Sequence, residues 1–318
     1  MDKKFWKTAE GVELARSVFA RLLSGQSLDR LSFDEHEGRL DLRNISVPSP
    51  TTLQEMARRG EIPEARAKKP RLQNVSLEGI DFSGADLRGI RLFEVTIREC
   101  RFDEVQFDDL RVWKSTVRNS SFRGAKLAGT YLGAWHENKG NEYTGADFQG
   151  ADLTQISCPA ASFQDVNFSG AKIIDVDFGA SSFVRCTFAG ELRRVIFWDR
   201  PPTSEKASPN PMTDIDFSRA ELHDVEFRGL RLDRVTLPRG DGHVIVRNYR
   251  CVLERGIERL KGNNALGAVL VHELHWSHPL RTDGVWHRDE LGENDEERDA
   301  MSNLLNEIDA ECGQAGSS

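Results

Sequence analysis

From Leu72 to Leu132 an apolar residue recurs at every fifth position: Leu72, Leu77, Phe82, Leu87, Leu92, Ile97, Phe102, Phe107, Val112, Val117, Phe122, Leu127 and Leu132. Two residues ahead of many of these stands a smaller one, as at Val75, Ala85, Ile90, Val95, Val105 and Ala125. A period of five suits neither a helix, with ~3.6 residues per turn, nor a strand, which alternates. It suits a chain that turns a corner every five residues, so that four pentads complete a square coil of about twenty residues. Such self-similarity marks a solenoid, in which each coil buries its apolar face against its neighbours.

The best-formed pentads are Gly84-Ala85-Asp86-Leu87-Arg88, Gly145-Ala146-Asp147-Phe148-Gln149 and Gly150-Ala151-Asp152-Leu153-Thr154. They resemble the pentapeptide-repeat family, whose repeat reads roughly A-(D/N)-L-x-x. The resemblance implies a mainly β solenoid, a right-handed quadrilateral β-helix, and a scaffold role rather than catalysis. It also implies an alternative function. Some members of the family are DNA mimics that bind DNA gyrase and related topoisomerases and protect them from inhibitors, including antibiotics.

The frame predicts three regions. Residues 1–69 do not hold it. Thr8 is placed to cap a helix with the stripe Val12, Ala15, Val18, Phe19 and Leu22, the segment 39–47 alternates like a strand, and Thr51 or Thr52 is placed to cap a second helix over Leu53–Arg59. This region is expected to cap the first coil, whose strand edges would otherwise lie open. Residues 70–239 form the repeat region, and its frame breaks twice. Between Leu132 and Tyr143 about six extra residues accumulate, so 133–142 must bulge from a corner. Residues 198–211 include Pro201, Pro202, Pro209 and Pro211, which cannot build a ladder, and form a second extruded loop. Leu192 arrives one residue early, which predicts a kink. The runs sum to roughly seven to eight coils, a rod some ~35 Å long. Residues 240–318 are read as helical over Val246–Leu260, Ala265–Trp276 and Glu296–Cys312. Their apolar stripes are expected either to cap the last coil or to pair with a second copy, giving a homodimer through 243–312.

Charge limits the functional classes. The net charge of −8 is matched by the C-terminus alone, where ten acids from Asp289 to Glu311 face only Arg288 and Arg298. Residues 71–239 carry 25 acids and 22 Lys/Arg, and are nearly neutral. A polyanion mimic needs a dense negative face, and a direct nucleic-acid reader needs a basic one. Neither appears in these totals. No apolar run approaches a membrane span, and no apolar stretch follows the N-terminal lysines, so a cytoplasmic protein is expected. Cys100, Cys158 and Cys186 fall at inward positions and read as buried thiols.

No motif carries chemistry. His272-Glu273-Leu274-His275 places its second histidine at i+3, where a zinc-protease helix needs i+4. His272, His275, His278 and His287 are a weak metal candidate, since Pro279 interrupts the helix, and no metal is assigned. Phosphate-loop and nucleophile-elbow sequences are absent. Asp81, Asp86, Asp147, Asp152, Asp177 and Asp216 precede inward residues and are expected to bond corner amides. No catalytic residue and no cofactor are expected. The reading is a non-enzymatic scaffold that binds a protein partner through its loops and terminal helices, with Trp135, His136 and Trp198 as the exposed anchors.

Overall fold

The computed structural model describes residues 2–28, 31, 33–137, 139–200, 209–260, 265–277 and 281–315. Within it the chain is a solenoid of short parallel strands flanked by terminal helices. The five-residue period has a backbone cause. Every fifth residue from Asn74 to Gly129 is left-handed, and the set includes Glu94, Glu99, Glu104, Asp109 and Lys114 as well as glycines. Each non-glycine corner costs about 1–2 kcal/mol. Parallel pairing between coils offsets that cost. Leu72, Leu92 and Val112 align across three strands, and Leu77, Ile97 and Val117 across three more, each twenty residues on.

The sequence-predicted carboxylates hold the corners. Asp81, Asp86, Asp147, Asp152, Asp177 and Asp216 each accept from the backbone N–H two residues ahead, at 2.8–3.3 Å. Inside, Phe82, Phe102, Phe122, Phe148, Phe168, Phe188 and Phe217 stack in one column with centroids 4.7–5.5 Å apart. The column crosses both frame breaks without interruption, so the extra residues leave the coil entirely. The interior space beside Phe82, Phe102, Phe122 and Phe148 is only about 40 Å³, a packed core rather than a channel.

Two asparagines close the gaps where the chain leaves the coil. Asn141 is 1% exposed. Its Oδ1 accepts from Ser115 N, and its Nδ2 donates to the carbonyls of Val112 and Leu132. Asn210, also buried, accepts from Phe183 N and Met212 N and donates to Trp198 O. Each carboxamide replaces the peptide group that a regular coil would supply. The early Leu192 aligns with Ile173 only nineteen residues back, and the pairing shifts between Thr187 and Ala189.

The N-terminal region differs from its reading. Of residues 39–47, expected to be a strand, Arg39–Asp41 is one, and the rest turns as part of a coil. Arg39–Asp41 pairs in parallel with Ile80–Asp81, Ser46 bridges Asp86, and Asn44 is a left-handed corner like Gly84. Part of a coil therefore lies beneath residue 72, with Leu42 and Ile45 buried. Helix α1 (Ala9–Leu23) is capped by Thr8 as expected, and its Phe19 and Leu22 line the same interior as Leu72 and Leu77. Helix α2 (Pro50–Arg58) starts earlier than expected, because Ser49 rather than a threonine caps it, with Pro50 in its first turn. Helix α3 (Glu64–Lys68) leads into the repeats.

The C-terminal region is helical only in part. Val246, expected to open a helix, instead ends the strand His243–Val246, and Arg281–His287 is another strand. Arg281–His287 pairs antiparallel with both His243–Val246 and Ile215–Arg228, so it covers the edge of the last coil. Helices α4 (Tyr249–Leu260), α5 (Ala265–Trp276) and α6 (Asp295–Ala315) enclose a second core around Val252, Leu253, Leu270, Met301, Leu305 and Ile308. Most of the apolar stripe residues expected to cap the last coil or form a dimer are thus used within the chain, while Val269 on α5 stays exposed. Cys251 and Cys312 join α4 to α6 in a disulfide, which their spacing of 61 gave no sign of. Cys100, Cys158 and Cys186 are buried free thiols, and burial raises their pKa values, Cys100 to about 11 and Cys186 to about 12.

Candidate partner-binding surface

The first loop is a tight hairpin. His136 and Lys139 exchange both backbone hydrogen bonds, and Glu137 adopts a left-handed turn conformation. Three contacts fix it to the rod. The His136 ring meets Phe93 edge-on at 5.7 Å. The Glu137 carboxylate pairs with Lys114, whose ammonium also reaches Glu94 at 3.2 Å and lies over the Phe93 ring. Gly140 passes so close to the next coil that a Cβ there would sit 1.9 Å from the Ala160 carbonyl oxygen. Trp135, next to these contacts, is 57% exposed. The His136 side chain is also nearly half exposed.

Trp198 is different. It is 7% exposed, so it does not project with the second loop as expected. Its indole N–H donates to Asp177 Oδ1 at 2.9 Å, and the Arg228 guanidinium lies 4.7 Å over its ring. An outward residue on a middle coil has neighbours above and below. Here they form a polar and cation–π sandwich that holds the ring down. Residues 201–208 of that loop lie outside the described residues.

The outward faces carry mixed charge. One ladder runs Asp81, Arg101, Ser121, Asp147, Asn167, and another runs Asp86, Gln106, Lys126, Asp152, Lys172. Ion pairs cross coils: Arg101 reaches Asp81 at 3.5 Å, and Arg185 reaches Asp165 at 2.6 Å. A third ladder begins with Arg71, Arg91, Arg111 and Tyr131, where Arg111 lies 4.6 Å over the tyrosine ring. None of the three is acidic throughout. A cleft of about 990 Å³ separates α1 from the corners at Asn44 and Gly84, with Lys3, Lys7 and Lys126 among its walls and Val12 exposed beside them.

The histidines fall into two groups. His272 and His275 lie on α5, and His278 and Pro279 lie outside the described residues. His287 is not with them. It lies tilted against His223, with ring centroids 3.9 Å apart, and meets His243 edge-on, where the last coil joins the C-terminal sheet. His243 Nε2 accepts from Leu222 N, and burial together with its histidine neighbours lowers its pKa to about 4. Burial raises Glu290, whose carboxylate accepts from Asp224 N and His287 N, to about 7. No grouping of His, Cys, Asp and Glu among the described residues has the form of a metal site.

The fold defines a class: a parallel β-solenoid repeat protein. The model of the pentapeptide-repeat family matches residues 71–109 and 144–179 in eight copies, so those coils are built of pentapeptide repeats. No curated protein matches the chain. Among solved structures it is similar to full-length QnrB1, a plasmid-mediated fluoroquinolone resistance protein, at 18% identity over 53% of this chain and 82% of that one, with a TM-score of 0.24. It is also similar to HetL, a pentapeptide-repeat protein involved in heterocyst differentiation regulation from the cyanobacterium Nostoc sp. strain PCC 7120. There the identity is 19% over 54% and 84% of the chains, with a TM-score of 0.15. At such scores these likenesses carry no argument about this chain.

Proposed function

We propose that the chain is a non-enzymatic protein-binding scaffold: a right-handed quadrilateral β-helix of seven to eight coils over residues 70–239, extended by the partial coil at 39–47 and capped by the rest of 1–69 and by 240–318. The observation that carries this reading is the presentation of Trp135. A large aromatic that is more than half exposed, on a loop locked by Lys114, Phe93 and Gly140, loses little entropy when a partner covers it. His136 lies beside it. Trp198, being buried, belongs to the scaffold rather than to the contact surface. The buried, high-pKa thiols and the corner-bound carboxylates are all engaged in the fold, which supports a role without catalysis.

The alternative, a DNA mimic bound to DNA gyrase or another topoisomerase, needs a continuous negative face. The alternating ladders and the arginine ladder weigh against it. Homodimerisation remains part of the proposal, now through α5, where Val269 and Val271 are exposed. So does a cytoplasmic location. No described helix is long and apolar enough to cross a membrane, although the Cys251–Cys312 disulfide is a bond that reducing compartments disfavour.

The test is affinity capture from the native host with the full chain and with Trp135→Ala. Loss of the captured partner in the variant supports the loop as its site. Equal capture by both proteins would remove the loop from the interface. Light scattering at high concentration tests the dimer, and a monomer mass refutes it.

A further inference from the structure

Arginines on this rod usually come with a carboxylate. Arg88 pairs with Asp86, Arg194 with Asp175, Arg228 with Glu226 and Arg234 with Asp214. Several arginines depart from this, and one group of them lines a cavity. It measures about 240 Å³ and is walled by Ala65, Arg66, Lys69, Arg71, Arg91 and Trp113, four cations with no acid among them. Among the described residues Arg66, Lys69 and Arg71 make no ion pair. The one carboxylate near Arg91 is Asp109 at 3.7 Å, which also lies 3.1 Å from Arg111. Arg66 donates one Nη to Gln73 Oε1 at 2.8 Å.

The cations are also crowded and partly dehydrated. Arg71 and Arg91 are direct partners across parallel strands, a spacing of about 4.8 Å. The Nε atoms of Arg66, Arg71 and Arg91 are closed off from solvent and have no acceptor. Burial and the neighbouring Arg71 charge both disfavour the charged form of Arg66. Positive charge held together in a half-dry cavity creates a strong local field, and only the outer nitrogens remain to meet a ligand.

We propose that this cavity binds a small phosphate-bearing molecule, held by the Nη groups of Arg66, Arg71 and Arg91 and the Lys69 ammonium against the Trp113 ring. Phosphate suits the site better than a single carboxylate. Four cations against one shared acid call for more than one negative charge, and guanidinium forks match phosphate oxygens in pairs. The volume lies just below the ~300 Å³ at which typical small-molecule sites begin, so the ligand is compact: an oligophosphate or a phosphate with a modest substituent. Trp113 gives such a substituent an apolar wall.

The experiment is calorimetric titration of the full chain with inorganic pyrophosphate and, separately, with ATP. Saturable one-site binding that weakens as sodium chloride rises is expected for both. Arg71→Gln and Arg91→Gln should each weaken it about tenfold or more, the loss expected for a charge-assisted bond. Lys69→Gln, at an exposed position, leaves the packed coils untouched and should weaken it less. Arg231→Gln, exposed and outside the cavity, should leave binding unchanged. Circular dichroism checks that each variant is folded. Tighter binding of ATP with fluorescence quenching lost in Trp113→Leu assigns a nucleotide, and equal affinities assign a free oligophosphate. Absence of saturable binding, or Lys69→Gln and Arg91→Gln variants that bind like the parent, overturns the proposal.

Discussion

Replacing Asn141 by leucine tests how a solenoid tolerates an extruded loop. The two side chains have nearly the same shape, so the change removes hydrogen bonds while keeping volume. Three bonds are lost: from Ser115 N, to Val112 O and to Leu132 O. Leu132 O keeps a donor in the Tyr143 hydroxyl at 2.8 Å, so two buried peptide groups are orphaned. At about 1–3 kcal/mol for each orphan, the expected loss is about 4 kcal/mol. Urea unfolding followed by far-ultraviolet circular dichroism measures it, as a lower midpoint with unchanged slope. Asn141→Asp adds an independent signature. It keeps the acceptor for Ser115 N but sets a second oxygen against two carbonyls, so its carboxyl should stay protonated in the fold. A folded pKa raised above the unfolded ~3.9 gives stability that is intact at low pH and falls as pH rises toward the folded value, by about 1.4 kcal/mol for each pH step between the two. A loss below about 1 kcal/mol for Asn141→Leu would refute the claim that the carboxamide substitutes for missing backbone.

Other outcomes follow from the same packing. Phe102→Ala removes a ring stacked between Phe82 at 5.2 Å and Phe122 at 5.1 Å, and should cost about 3–5 kcal/mol in thermal or urea unfolding. The His243 pKa, near 4 in the fold against 6.5 unfolded, means the unfolded chain takes up the proton first. Its contribution to stability is therefore full above pH 6.5 and declines toward pH 4, by about 2 kcal/mol at pH 5. Glu290, raised to about 7, acts in the opposite sense as pH climbs from 4.5. His243→Gln keeps an acceptor for Leu222 N and should flatten the acid-side decline, seen by comparing melting at pH 7.5 and 5. Reduction of Cys251–Cys312 reopens a 61-residue loop and should destabilise the C-terminal core by roughly 4 kcal/mol in the chain-entropy picture. An unchanged melting profile after full reduction would contradict that.

The solenoid was readable from the chain alone, because the period is a local property. A left-handed corner every fifth residue, a small residue before each large one and an aspartate two residues ahead of a corner amide all act within one or two pentads. The loop at 133–142 was legible for the same reason: six surplus residues have no place in a coil. Trp135 and His136 stand there exposed, while Trp198 does not. Its burial depends on Asp177 and Arg228, twenty-one and thirty residues away, and only stacking of the coils brings them to its ring. Residues 39–47 looked like a strand because a partial coil shows too few pentads to reveal the period. The strand at 281–287 carries no strong alternation and is paired only because the last coil leaves an edge to cover. The Cys251–Cys312 bond, the three-histidine cluster and the arginine-walled cavity were equally invisible. The first two join residues far apart in the chain, where packing between distant segments decides which side chains meet; Arg66, Lys69 and Arg71 are close in sequence, and stacking of the coils brings Arg91 and Trp113 to them.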